Sequence, residues 1–156
     1  LFSEKKSFIT VLLALLVGGM LFSGSQWWTS TTAIKSRELL TWMDVEDQAI
    51  TKAREQKASL LIDMWAEWCE ACKKMDATVF SDDEVIKTLK DDKWILLKID
   101  MTKNTELTRQ LQEKYQVKGL PTLVIVPQGR VEDRVLLRGA ASSHKLLSHL
   151  KKLSGS

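Results

Sequence analysis

Cys69 and Cys72 are the only cysteines of the chain, and they stand within Trp65–Met75, WAEWCEACKKM. Two thiols at this spacing, after a buried strand and on the opening turn of a helix, can close a small disulfide and reopen it. A domain stapled by disulfides would carry more cysteines closing longer loops, so two thiols committed to one local motif point to redox chemistry. A cysteine at a helix start feels the positive end of the macrodipole and unpaired backbone N–H groups, which stabilise its thiolate. Cys69 holds that position and is expected to be the exposed nucleophile; Cys72, one turn on, is expected to be the buried resolving thiol. The charged neighbours Glu67, Glu70 and Lys73 are expected to tune the potential, with Lys73 and Lys74 favouring the thiolate and Glu70 opposing it. A strongly stabilised thiolate would make an oxidant, so Glu70 argues for a reducing protein.

Three further residues suit the same chemistry. Asp63 interrupts the apolar run Ser59–Trp65, SLLIDMW. A buried, unpaired carboxylate there would have a raised pKa and could exchange a proton with Cys72. The alternative is an aspartate that faces solvent from a strand end. Pro121, in Gly119-Leu120-Pro121-Thr122, directly precedes a strand, where proline either ends a loop or forms a cis turn. A cis peptide would expose the backbone of Leu120 as an edge for an extended substrate strand. Trp68, before the first cysteine, is either a platform for substrate or a lid on the local core.

The elements that must position these residues follow from periodicity. Asp44–Gln56 reads as a helix with Val45, Ala49, Ile50 and Ala53 near one face and Asp44 as its cap. Ser59–Trp65 and Trp94–Ile99 read as strands, and Ala71–Val79 and Asp82–Leu89 as helices. Thr105–Tyr115 is an amphipathic helix with Leu107, Leu111 and Tyr115 at helical spacing. Thr122–Val126 is a strand, Pro127–Arg130 a turn, Val131–Leu137 a paired strand and Ser142–Leu153 a closing helix. This order predicts an α/β sandwich around a mixed sheet.

Ahead of it, Ser7–Ile34 carries no charge, and Phe8–Phe22 is almost wholly apolar. Fifteen helical residues reach about 22 Å, short of the ~30 Å hydrocarbon core; continuing to Trp27 and Trp28 at the headgroup boundary completes a span. A signal peptide is the alternative, since Lys5 and Lys6 stand before the run, and a buried core helix is disfavoured by the lack of a polar face. The expected organisation is a membrane segment over 1–28, a small polar linker over 29–38 and one domain over 39–156. Lys5 and Lys6 abut the run while Lys35 and Arg37 lie a dozen residues beyond its far end, so proximity favours a cytoplasmic N-terminal side although the count of basic residues is tied. The net charge of +3 falls entirely within residues 1–37. A neutral domain lacks the basic face that nucleic acid requires.

The stretch IDMWAEWCEACKK (62–74) with GLPT (119–122) resembles the thioredoxin family: strand Asp, Trp-Cys-x-x-Cys-Lys, and a later proline. With Thr78–Asp82 after the motif, it is similar more specifically to the C-terminal periplasmic domain of the DsbD family of transmembrane disulfide reductases. The resemblance covers roughly Trp42 to Leu153. It implies a thioredoxin fold, with Cys69 as attacking thiol, Cys72 as resolving thiol, Asp63 as buried acid and Pro121 as a cis-proline. It also implies a domain in the periplasm at a bacterial inner membrane, with 8–28 as the last membrane helix. Electrons would come from an upstream membrane domain and pass to partner proteins carrying disulfides, with no cofactor beyond the cysteine pair. Glu70 departs from the small or apolar residue expected at its place.

Rival readings remain. A metal module would use the cysteines with His144 and His149, but histidines five apart on a helix diverge, and Cys72 is too distant in sequence for a zinc finger. The same fold also serves disulfide oxidases and isomerases, and membrane-tethered thioredoxins of cytochrome c maturation.

Overall fold

A computed structural model describes residues 39–91 and 94–154. The apolar run over 8–28 and the linker over 29–38 lie outside the described residues. Among those described, no helix is long and apolar enough to cross a membrane.

The chain alternates as its periodicity predicts. Strand β1 is Trp42–Met43, helix α1 Glu46–Glu55, β2 Leu60–Trp65, α2 Glu70–Thr78 and α3 Asp83–Asp91. Then come β3 Ile95–Asp100, α4 Glu106–Tyr115, β4 Thr122–Val126, β5 Val135–Arg138 and α5 Ser143–Ser154. The five strands form one sheet in the order β1-β3-β2-β4-β5. β2 is central, parallel to β3 and antiparallel to β4, with Asp63 opposite Lys98 on one side and Leu123 on the other.

Side chains alternate across a strand, so each strand feeds two cores. Leu61 of β2, Leu96 of β3 and Leu123 of β4 join Phe80, Val85, Leu146 and Leu150 on the face covered by α2, α3 and α5. Leu60, Ile62 and Met64 join Ala49, Ala53, Leu111 and Tyr115 on the face covered by α1 and α4. Each fully buried leucine contributes roughly 1.5–3 kcal/mol, so both faces fix the register firmly. Asp63 and Lys98 share the parity of Leu61 and Leu96 and enter the first face.

Four expectations need correction. Strand β1 is absent from the periodic reading because two residues are too short to show a period. Helix α1 begins after Val45, with no side-chain cap, and not after Asp44; Glu46 and Asp47 in its first turn meet the dipole instead. Leu107 is 63% exposed rather than on the buried face of α4, which is formed by Thr108, Leu111 and Tyr115. A reciprocal cap between Thr105 and Thr108 turns Thr108 inward and leaves Leu107 about 100° away. The paired strand shortens to Val135–Arg138, because Val131–Asp133 closes a 3-10 turn held by an Arg130–Asp133 ion pair at 2.6 Å. Gly129 ends the preceding 3-10 turn, Pro127–Gly129, at φ +71°, where a Cβ would stand 2.6 Å from Cγ of Arg54.

Candidate active site

The central strand β2 ends at Trp65, and the chain turns through Ala66–Cys69 into α2. The Cys69 N–H donates to the Ala66 carbonyl at 3.0 Å. Cys69 is the N-cap of α2 in extended backbone, φ −88° and ψ 95°, and its Sγ accepts from the Cys72 N–H at 3.2 Å. A sulfur at that cap receives the helix's unpaired donors, the environment that stabilises a thiolate. The two cysteines are joined in a disulfide, with Cα atoms 5.3 Å apart.

Cys69 is not exposed in this state: it is 6% accessible, against 2% for Cys72. Ala66 packs with the two cysteines, and Trp65 and Leu120 close over them. The Leu120–Pro121 peptide is cis. Thr122 Oγ1 donates to the Gly119 carbonyl at 2.7 Å and the Gly139 N–H to the Pro121 carbonyl at 2.9 Å, so the turn is tied to both β4 and β5. The turn sets the half-buried Leu120 against the disulfide.

The loop after β3 supports the other side. The Met101 N–H donates to the Trp65 carbonyl at 2.8 Å, and the Glu67 N–H to Thr102 Oγ1 at 2.9 Å. Trp68 is 64% exposed, yet its indole N–H donates to the Thr102 carbonyl at 3.3 Å. One residue, Thr102, therefore anchors the loop backbone and orients the exposed indole. Its sequence signal is only a threonine after a strand. Glu67 is exposed, and Glu70 is spent on Lys73 in an exposed ion pair at 2.8 Å. Glu70 and Lys73 thus offset one another rather than acting separately on the sulfurs.

Asp63 is 2% exposed but not unpaired, and the expectation of an isolated carboxylate is corrected here. Lys98, its register partner on β3, brings Nζ to 3.2 Å from Asp63 Oδ2. The same ammonium donates to Asp76 at 2.6 and 2.9 Å. Asp76 stands four residues after Cys72 on α2, hence on the same helix face. Asp63 Oδ1 is buried with no hydrogen-bond partner. Burial pushes the Asp63 carboxyl up to about 6; Lys98 pulls it down and Asp76 adds to the rise. Reasoning from sequence missed Lys98 and Asp76. The available signals were the lysine that interrupts WILLKI as Asp63 interrupts SLLIDMW, and the fourfold spacing from Cys72. His144 is exposed and His149 half-buried on α5; among the described residues no cluster of three metal-ligating side chains forms.

Comparison with known proteins gives a consistent picture. A family model described as Thioredoxin matches residues 42–152. The chain is 34% identical over 124 residues to the thiol:disulfide interchange protein DsbD of Pasteurella multocida (strain Pm70), covering 79% of this chain and 21% of that protein. It is 30% identical over 133 residues to DsbD of Photorhabdus laumondii, covering 81% and 22%. The chain thus spans about a fifth of the length of the curated relatives it matches. Among solved structures, a thioredoxin from Thermus thermophilus superposes with TM-score 0.60 at 23% identity, over 72% of this chain and 85% of that one. The oxidised C-terminal domain of Neisseria meningitidis DsbD does so with TM-score 0.57 at 23% identity, over 71% and 98%. The structural likeness carries the fold.

Proposed function

Because the chain belongs to the thioredoxin family, a premise carried by the match over residues 42–152, we propose that it is a disulfide reductase domain passing two electrons to extracytoplasmic proteins. The observation that carries this reading is a helix-capping Cys69 disulfide-bonded to Cys72, on a helix whose Asp76, four residues further on, shares the Lys98 ammonium with the buried Asp63. In the reduced domain the Cys69 thiolate attacks one sulfur of a partner disulfide. A mixed disulfide forms, and the partner's other sulfur leaves as thiolate. Cys72 gives its proton to Asp63 and attacks Cys69 Sγ, which releases the partner's second sulfur. The domain ends as the Cys69–Cys72 disulfide, and the partner holds two more electrons and, once protonated, two thiols. A donor dithiol restores the reduced domain by the reverse exchange.

Leu120 beside the cis-proline packs on the disulfide, and Trp68, directly before Cys69, presents an exposed indole pinned to Thr102, which supports their reading as substrate contacts. On this reading the Asp63 carboxylate that takes the Cys72 proton disfavours the Cys72 thiolate, and Glu70 is neutralised by Lys73, so the reduced form gains little stabilisation and the dithiol donates readily. The similarity to DsbD supports an upstream membrane donor, residues 8–28 as a membrane helix, the linker over 29–38, and a domain over 39–156 in the periplasm at a bacterial inner membrane.

The test is capture together with redox titration. Cys72→Ser in the reduced state should accumulate mixed disulfides through Cys69, and Cys69→Ser should not. Equal capture by both would refute the assignment of the two thiols. A potential near the roughly −270 mV of reducing thioredoxins is expected; one above about −180 mV would make the domain an oxidant or isomerase.

A further inference from the structure

Strand β1 is only two residues long, yet it places Trp42 opposite Leu96, two positions before Lys98 on β3 and on the same sheet face. There the Trp42 ring meets Phe80 edge-on, with centroids 5.1 Å apart and planes at 82°. The Lys98 ammonium lies 5.5 Å from the centre of the Trp42 ring, 5.2 Å from that of Trp65 and 5.9 Å from that of Phe80. All three distances fall within cation–π reach. The Lys98 side chain is 13% exposed, so little water solvates its charge. Its ammonium contacts Asp63 and Asp76, and the three rings stand around the same nitrogen. Holding two carboxylates at once costs a lysine on a flexible four-carbon stem its rotamer entropy, which the ring contacts help to offset.

We infer that Trp42 is a positioning residue of the exchange centre: with Phe80 and Trp65 it forms an aromatic clamp that holds the Lys98 ammonium between Asp63 and Asp76. The inference rests on the reading of Asp63 as acceptor of the Cys72 proton, and it extends that machinery to the sheet edge. The groups that face Asp63 are Lys98 from β3 and Asp76 from α2; Leu123 from β4 is apolar. When the clamp weakens, the ammonium swings to solvent and leaves Asp63 beside the like charge of Asp76. Asp63 then holds its proton to higher pH, and release of the mixed disulfide needs a higher pH as well.

The experiment uses the full chain. Carbon-13 carboxyl signals of Asp63 are titrated in the oxidised state, where neither cysteine titrates. Trp42→Leu keeps an apolar side chain, though a smaller one, without a ring and should raise the Asp63 midpoint by about one pH unit; Trp42→Phe keeps a ring and should move it least. Should Trp42→Leu fail to fold, stepwise fluorination of the Trp42 indole by nonsense suppression preserves its shape and drains its quadrupole. The midpoint should then climb with each fluorine, and a flat series overturns the clamp. A pH profile of mixed-disulfide release in the same proteins should shift in parallel. If the Asp63 midpoint moves while the release profile stays, the clamp stands and Asp63 is not the proton acceptor.

Discussion

The two faces of the sheet each hold a polar cluster with a lysine and a carboxylate, and only one of them is closed. On the face of α1 and α4, the Tyr115 hydroxyl donates to Glu46, and Lys114 reaches the same carboxylate at 2.8 Å. Each of the three side chains has its partner, and Glu46 and Lys114 keep water contact at 15% and 42% side-chain exposure. On the face of α2 and α3, one lysine serves two carboxylates, and a buried oxygen of Asp63 is left without a donor. An unsatisfied buried acceptor costs roughly 1–3 kcal/mol, so the open cluster is held at a cost in stability that the closed one does not bear. The closed cluster joins two helices; the open one leaves an acceptor free, as the proposed proton transfer requires.

Removing the open site should have the largest effect. Asp63→Asn should slow release of the mixed disulfide on the order of 100-fold while leaving the first attack by Cys69 intact. The same change should raise stability at neutral pH. Burial lifts the folded Asp63 from 3.8 to about 6, so between those values the native state holds a proton that the unfolded chain has lost. Stability of the wild type therefore falls as pH rises through that window, by an amount on the order of 3 kcal/mol, and stays reduced above it. Asp63→Asn should abolish that fall. Rapid mixing with a model disulfide and denaturant midpoints at pH 4 and 7 measure both effects. Unchanged release and an unchanged pH slope would make the open cluster as structural as the closed one.

A smaller effect is expected from Lys98→Met, which keeps the aliphatic stem and deletes the charge. Losing an opposite charge at this range raises a carboxyl by about 1–3 units. Starting from about 6, a rise of one unit leaves about half of Asp63 ionised at pH 7 and a rise of two units about a tenth, so release should slow roughly two- to tenfold there and recover at higher pH. A release profile with its midpoint unmoved would show that Lys98 balances charge without setting the proton acceptor.

What could be read from the chain in advance follows the range of the interactions. The cysteine pair, its helix and the alternation of strands are local patterns, and each left a periodic or spaced signature. Lys98 left a signature too, an interruption of an apolar strand, but its meaning depends on the β2–β3 register that sets it opposite Asp63. Trp42 belongs to a strand too short for a period, so its role emerges only when β1 docks beside β3. The low exposure of Cys69 has the same origin: Leu120 reaches it through a turn some fifty residues away in sequence. Leu107 misled for a local reason, because a threonine cap took the inward position that apolar spacing assigns to leucine.

The smallest expected effect belongs to the closed cluster, and it defines the contrast most sharply. Tyr115→Phe keeps the buried ring and removes one hydroxyl, so it should cost about 1 kcal/mol and leave thiol exchange and its pH profile untouched. Glu46 retains Lys114 at 2.8 Å, and water takes the vacated place. Burial first, then the bond and charge of Glu46, push the Tyr115 phenol above its usual range. Above about pH 10 the unfolded chain therefore sheds a proton that the folded one keeps, and the wild type loses stability as pH rises further. The phenylalanine variant lacks that loss, so the gap between the two proteins should narrow between pH 7 and about pH 10.5. Denaturant midpoints at the two pH values measure the gap. Side chains on β2 alternate between the faces, which keeps Tyr115 on the far side of the sheet from Asp63. An exchange profile altered by Tyr115→Phe would mean that the two clusters communicate through β2, and the division between joining and proton transfer would fail.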